Sequence, residues 1–182
     1  MLNERGQAFS VFKLLIAAIV AVFILTILLQ ILMQIVPPSQ GDPTDEASSK
    51  IKTLINNLGT PERTGLVTFK NGTSLRSRTI AEKTGSLGEH QLCVLISDTV
   101  SGSNPNFEEV TQGSWIRYNG NSDQQQKLYV LCDDANRVEE TVLEARLDTV
   151  FPGYDSLCGG GTAIFDPSNT ERICLVSIIP AS

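Results

Sequence analysis

The chain has 182 residues, with 20 acidic and 14 basic side chains, and 41% of its residues are apolar. The apolar residues are unevenly spread: only three of the 23 residues from Leu14 to Val36 are polar, whereas the chain after Val36 carries 19 acidic and 12 basic side chains. A single apolar run excludes a multi-pass membrane protein, and the acidic balance argues against nucleic-acid binding because it repels phosphate backbones.

The apolar run predicts a helix roughly 35 Å long, enough to cross a hydrocarbon core of about 30 Å. Arg5 and Lys13 lie at its N-terminal end, and acidic residues such as Asp42 and Glu46 follow its C-terminal end. The positive-inside bias then predicts a cytoplasmic N-terminus, with everything after Pro37 on the outside. A single-span membrane anchor is the plain interpretation of this pattern.

The residues before the run favour a more specific interpretation. Charged Glu4-Arg5 leads to Gly6 and Gln7, which precede the apolar helix. This stretch resembles the class III signal of archaeal type IV pilin precursors, although Val11 replaces the Glu that many members carry at the fifth mature position. The resemblance implies cleavage between Gly6 and Gln7 by a prepilin peptidase. It also implies self-association through the retained helix, driven by an assembly ATPase and a membrane platform.

Two features of the run indicate helix packing. Ala17, Ala18 and Ala21 place small residues at spacings of one and four, which lets neighbouring backbones approach closely. Gln30 and Gln34 share one face, and in an apolar bundle their amides would bond between helices. The alternative is that both glutamines are hydrated near the outer interface of a membrane.

Residues 37–47 are rich in Pro, Gly, Ser and acids and predict a hinge. Apolar residues then recur at helical spacing from Ile51 to Leu58, so we predict a short amphipathic helix from about Ala47 to Leu58, with Gly59 as its C-cap. A second helix is favoured over 137–147, where Asn136 and Glu139 fit a capping box.

Strand signals occupy most of the remainder. Asn71-Gly72 predicts a type I′ hairpin between Gly65–Lys70 and Thr73–Ile80, and the apolar run Gln91–Ser97 predicts a strand buried on both faces. Residues 98–113 and 119–126 read as loops. Further strands are predicted at Ser114–Tyr118, Lys127–Cys132, Thr162–Phe165 and Arg172–Ile179. The expected fold class is α+β: a long N-terminal hydrophobic helix, then a small, mainly antiparallel, sandwich-like β domain with one or two short helices.

All four cysteines, Cys93, Cys132, Cys158 and Cys174, lie beyond the apolar run, which indicates two disulfides in an oxidising compartment. Three pairings are possible. We favour Cys93–Cys132 with Cys158–Cys174, because each links cysteines that follow one another in the chain. A four-cysteine zinc site and buried free thiols are the alternatives, and the spacing lacks the short knuckle that zinc sites use.

Asn71-Gly72-Thr73 is also an N-glycosylation sequon at an expected turn, although the same residues are explained by turn chemistry alone.

Catalytic signals are sparse. His90 is the only His and lacks a nucleophile elbow, and Gly159–Thr162 lacks the Lys of a phosphate-binding loop. The acidic pairs do not form an ordered calcium loop. We therefore expect no enzyme activity, cofactor or metal site.

The resemblance implies a filament subunit that leaves the membrane after cleavage and presents its head domain outside the cell for adhesion. The expected location is a single-pass position in the cell membrane with a cytoplasmic N-terminus, followed by an extracellular filament. The alternatives are an anchored binding protein that does not assemble and, last, a membrane-tethered enzyme. The expected parts are a leader (1–6), a transmembrane or filament-core helix (7–36), a hinge (37–47) and a β-rich head domain (48–182).

Overall fold

The computed structural model describes residues 13–27, 41–158 and 171–181. By contacts the chain divides into two units, Met1–Pro37 and Pro38–Ser182. The expected processing residues Gly6 and Gln7 lie outside the described residues, as do Val11, Gln30, Gln34 and the expected strand Thr162–Phe165.

In the first unit, the described residues 13–27 form helix α1. No helix within the described ranges is both long and apolar enough to cross a membrane. This finding corrects two expectations, the long hydrophobic helix over 7–36 and the single-pass location in the cell membrane.

The second unit contains helices and strands, so the α+β composition is confirmed. Its described helices are α2 Pro43–Leu54, α3 Ser77–Thr84, α4 Asp98–Ser103, α5 Val138–Glu144 and α6 Tyr154–Leu157. Its described strands are β1 Glu62–Arg63, β2 Val67–Phe69, β3 Ser74–Arg76, β4 Leu92–Ile96, β5 Phe107–Thr111, β6 Trp115–Tyr118, β7 Gln124–Asp134 and β8 Arg172–Pro180. Residues 98–113 thus hold a helix and a strand where the sequence predicted a loop.

Helix α2 begins four residues before the expected start at Ala47, inside the expected hinge. Asp42 caps it by accepting a hydrogen bond from the Thr44 amide at 2.8 Å, and Pro43 occupies the first helical position, where its missing N–H costs nothing. The helix ends at Leu54 with Ile55 as its C-cap, so Gly59 does not cap it. The expected capping box of α5 is also wrong, because Arg137 is the N-cap and no side chain caps the helix.

Two sheets organise the second unit. The larger sheet has the order β1-β7-β8-β4, with β2 also paired to β7, and its β4–β8 pairing is parallel. The smaller sheet has the antiparallel order β3-β6-β5. Five of the six pairings between the described strands are antiparallel, as expected, and the β4–β8 pairing makes the larger sheet mixed.

The turn at Asn71-Gly72 joins the two sheets rather than closing a hairpin. Its first strand, β2, pairs with β7, and its second, β3, pairs with β6. Gly72 does adopt a positive φ of 82°, as the dipeptide predicts. The predicted hairpin is wrong because a turn signal specifies only a local reversal, whereas strand pairing is set by non-local packing.

The larger sheet is buried on both faces. Side chains of β4 alternate between two apolar clusters: Leu92, Val94 and Ile96 enter one, and Cys93 and Leu95 enter the other. The first cluster also contains apolar residues of α2, α3 and the smaller sheet, and the second contains residues of α5, the 147–151 turn and α6. A strand buried on both faces was predicted here, and it is confirmed.

The four cysteines form two disulfides, Cys93–Cys158 and Cys132–Cys174. The expected pairing, Cys93–Cys132 with Cys158–Cys174, is wrong. Cys93 and Cys132 belong to the same sheet but to opposite clusters, so their side chains point to opposite faces and cannot meet. Each face of the larger sheet thus carries one disulfide.

Candidate functional surfaces

Helix α1 presents an apolar surface on all sides. Ten of its large apolar side chains are exposed, by 42 to 72%. They are Leu14, Leu15, Ile16, Ile19, Val20, Val22, Phe23, Ile24, Leu25 and Ile27. Its one internal polar side chain, Thr26, donates to the Val22 carbonyl at 2.7 Å and so needs no outside partner. A helix that is apolar all round requires an apolar environment.

The alanines predicted for helix packing lie on this exposed helix. Ala17, Ala18 and Ala21 are all exposed. Ala18 lines a shallow apolar depression with Ile19, Val22, Phe23 and Thr26. A small residue beside larger neighbours gives a second helix room to approach, as the sequence predicted for this run.

The sequon residue Asn71 lies at an exposed turn between the two sheets. The turn is closed by a hydrogen bond from the Thr73 amide to the Lys70 carbonyl at 2.8 Å, and the Thr73 hydroxyl accepts from the Lys70 amide at 3.0 Å. The Asn71 side chain is therefore accessible on a well-defined backbone. Its glycosylation stays a prediction.

Groups capable of acid–base or metal chemistry are dispersed in the described part of the chain. His90 is largely exposed, and its Nε2 lies 3.7 Å from Glu171 Oε2 on the surface. Within the described ranges, no group of three or more His, Cys, Asp or Glu residues is placed to hold a metal ion. Gly159–Thr162 lies outside those ranges. The described geometry assembles no catalytic group around His90.

One cleft of about 440 Å³ opens where β4 ends beside α4. Its lining combines apolar Ile96, Phe107 and Pro152 with the carboxylates of Asp98 and Glu109. Loss of hydration against this wall raises the pKa of the Glu109 carboxyl above its ordinary value.

The α5–α6 surface is acidic. Burial raises the pKa of the Tyr154 hydroxyl, and the nearby charges of Glu139, Asp155 and Asp148 raise it further, because each disfavours a phenolate.

The outer side of the smaller sheet carries a cluster that the sequence analysis missed, here called the Trp115 face: Ser74, Arg76, Trp115 and Arg117. Arg76 stands directly opposite Trp115, and Ser74 directly opposite Arg117. The Arg76 Cζ lies 3.9 Å from the Trp115 ring centroid, and the Arg117 Cζ lies 5.3 Å from it. The signal in the sequence is the alternation Trp-x-Arg, which becomes informative only once β3 is known to pair with β6.

Comparison of the chain with protein-family models, curated proteins and solved structures gave no match. Its function is argued from its residues and their geometry.

Proposed function

We propose that this chain is a pilin-like structural subunit of an extracellular filament, processed after Gly6 and assembled through its N-terminal helix. The observation that carries the proposal is the set of ten exposed large apolar side chains on α1. Burying such side chains is worth about 25 cal/mol per Å² of apolar surface, so association of α1 helices is strongly favourable. The occupant of this surface is α1 of other copies.

The charge distribution supports association through α1 rather than through the heads. The chain after Val36 has 19 acidic and 12 basic side chains, so like-charged heads repel one another. Lys13 is the only charged residue in α1. A repeating contact between chains is then most favourable along α1.

The two disulfides support an extracellular role for the head domain. Disulfides persist in oxidising compartments and stabilise small domains whose cores alone are marginal. Both lie in the unit that would form the filament's outer surface, one on each face of its larger sheet. In this proposal the head mediates surface interactions and α1 mediates assembly.

Processing is tested by mass spectrometry of the mature chain. We expect a chain that begins at Gln7, and we expect Gly6→Val to prevent cleavage because the branched side chain restricts the backbone that the peptidase must grip. Gly6→Ala is the matched control, since it adds only a methyl group and should retain partial processing. A mature wild-type chain that still carries Leu2–Gly6 would refute the processing step.

Assembly is tested by electron microscopy of material shed from the cell surface, with the chain identified by mass. Val22→Asp places a charge in the apolar surface of α1 and should abolish filaments. The matched control is Leu143→Asp in the head, where the apolar side chain is 55% exposed against 63% for Val22, and it should leave filaments intact. Filaments that persist in the Val22→Asp strain would contradict assembly through α1.

A further inference from the structure

Two guanidinium groups of the Trp115 face lie against one indole ring. Both Arg76 and Arg117 lie within cation–π range of Trp115. Among the described residues, no carboxylate comes within ion-pair distance of either arginine. Two like charges are therefore held together on the surface of a chain whose net charge is −6.

The nearest candidate counter-ion is held elsewhere. Glu108 is the cross-strand neighbour of Arg117, but its Oε2 accepts a hydrogen bond from Asn119 Nδ2 at 2.7 Å. The Glu82 carboxylate likewise pairs with Arg78 in α3. The charge of Glu108 lowers the local positive potential, but neither carboxylate forms an ion pair with Arg76 or Arg117, so the guanidinium N–H donors are not used by either.

Stacking leaves the binding groups of an arginine available. A guanidinium that lies over a ring uses its flat face, while its five N–H donors point outward in the plane of the group. Those donors match the two oxygens of a carboxylate, which they bind in a bidentate manner. The Ser74 hydroxyl, half-buried opposite Arg117, adds a neutral donor and acceptor on the same face.

We propose that the Trp115 face binds a uronic-acid-bearing polysaccharide, with Arg76 and Arg117 holding its carboxylates. The net charge of −6 selects against densely charged polymers such as nucleic acids, because the chain as a whole repels their phosphates. A polysaccharide with one carboxylate per disaccharide concentrates its charge at the arginines and places neutral sugars elsewhere. The inference rests on the proposed role of the head in surface interactions and names the ligand for it.

Trp115 is the only Trp in the chain, so its fluorescence reports on this face alone. The full-length chain in mild detergent is titrated with a hyaluronate hexasaccharide, with maltohexaose as the neutral control. We expect a saturable fluorescence change with hyaluronate and none with maltohexaose. An absent response, an equal response to maltohexaose, or equally tight binding of sodium sulfate would overturn the assignment. Tighter binding of single-stranded DNA would instead identify a nucleic-acid surface and overturn it as well.

Variants test which groups are used. Arg76→Gln and Arg117→Gln should each weaken binding about tenfold or more, because each removes a charge-assisted hydrogen-bonding group. Arg63→Gln is the matched control: Arg63 lies 5.2 Å from the Tyr129 ring centroid in the other sheet, and its loss should leave the affinity unchanged. Binding that is unchanged in both Trp115-face variants would refute the proposal.

The fold of each variant is checked by circular dichroism. If a Gln variant unfolds, Arg76→Lys and Arg117→Lys take its place, because Lys keeps the charge and the aliphatic stem. The Lys variants should still bind less tightly than the wild type, since an ammonium cannot form the bidentate contact. Wild-type affinity in folded Lys variants would overturn the role of the guanidinium.

Gly6→Val should block assembly and leave this titration unaffected, so failure of the ligand proposal is distinguishable from failure of the filament proposal.

Discussion

Cys132 lies directly opposite Cys174 where β7 pairs with β8, and the two form a disulfide. The chain between these strands contains α5 and α6; it leaves the sheet after Asp134 and re-enters it at Arg172, two positions beyond this pair. The second disulfide ties Cys158, which follows α6, to Cys93 on the other face of the sheet. The Cys132–Cys174 bond therefore holds the two ends of the connection from β7 to β8 together, and the Cys93–Cys158 bond ties its middle to the sheet.

We predict that each disulfide contributes substantially to stability. The two bonds join cysteines 42 and 65 residues apart, and the chain-entropy model gives about 4 kcal/mol for loops of that size. Replacing Cys132 and Cys174 by Ala should lower the free energy of unfolding in urea by about 2–5 kcal/mol, and so should replacing Cys93 and Cys158.

The pairing itself is tested by counting thiols in the same variants. Both matched double variants should show no free thiol under denaturing conditions, because each removes one complete bond. The crossed variant Cys93→Ala with Cys132→Ala leaves Cys158 and Cys174 without their partners and should show two thiols. A crossed variant without free thiols would mean that Cys158 and Cys174 can bond to each other, against the observed pairing.

The close contact between Tyr118 and Gly120 makes a second prediction. Tyr118 is 1% exposed and donates its hydroxyl proton to the Ser122 carbonyl at 2.7 Å, and a Cβ on Gly120 would overlap the hydroxyl end of this ring. Gly120→Ala should therefore destabilise the fold by about 1–3 kcal/mol, measured by urea unfolding.

The matched control for this substitution is Gly102→Ala in α4. A Cβ at Gly102 meets no atom within 4 Å, and Gly102 has no positive φ. Ala also has the higher helix propensity, so this variant should be neutral or more stable than the wild type by up to about 1 kcal/mol. Equal losses in the two variants would show that overlap with Tyr118 is not the cause.

The sequence predicts best those elements whose signal is local. The continuous apolar run at β4 predicts a strand buried on both faces because no exposed strand tolerates it. Asp42-Pro43 is a readable helix start, yet the Pro- and acid-rich composition around it favoured a hinge, and the start of α2 was misplaced. Composition describes a whole window, whereas a helix cap depends on two residues.

Non-local relationships could not be predicted. The disulfide pairing depends on which cysteines share a face of the larger sheet, and that requires the register of three strands, β4, β7 and β8. The Trp115 face likewise exists only because β3 and β6 pair with Arg76 opposite Trp115. A single sequence carries the alternation within each strand but not the partner of that strand.

The buried carboxylate of Asp133 makes a third prediction. Asp133 is fully buried in β7, where Oδ2 accepts from the Thr141 hydroxyl at 2.6 Å and Oδ1 accepts from the Asp134 amide at 2.9 Å. Asp133→Ala leaves both donors without this acceptor and should cost about 1–3 kcal/mol of unfolding free energy. Thr141→Val should also destabilise, because the carboxylate loses one of its two donors.

A double-mutant cycle separates this interaction from general damage to the core. The variant carrying both Asp133→Ala and Thr141→Val should be more stable than the sum of the single losses implies, with a coupling energy of about 0.5–3 kcal/mol. Urea unfolding of the four proteins measures it. Strictly additive losses would show that the Asp133–Thr141 hydrogen bond does not stabilise the fold.

The raised pKa of Glu109 predicts the sign of a pH dependence. Glu109 is exposed, but partial loss of hydration against the cleft wall disfavours its charged carboxylate, so the folded state binds the proton more tightly than the unfolded state does. Below the pKa that Glu109 has in the unfolded chain, both states are protonated and Glu109 does not lower the free energy of unfolding. As the pH rises from that value through the higher pKa of the folded state, ionisation of Glu109 lowers the free energy of unfolding.

Glu109→Gln removes this ionisation. The stability of this variant relative to the wild type should therefore be constant in acid and increase toward neutral pH. Thermal unfolding between pH 3.5 and pH 8 measures the difference, with exposed Glu144→Gln as the control for losing one surface carboxylate. A relative stability of Glu109→Gln that falls as the pH rises would contradict the partial desolvation of this carboxyl group.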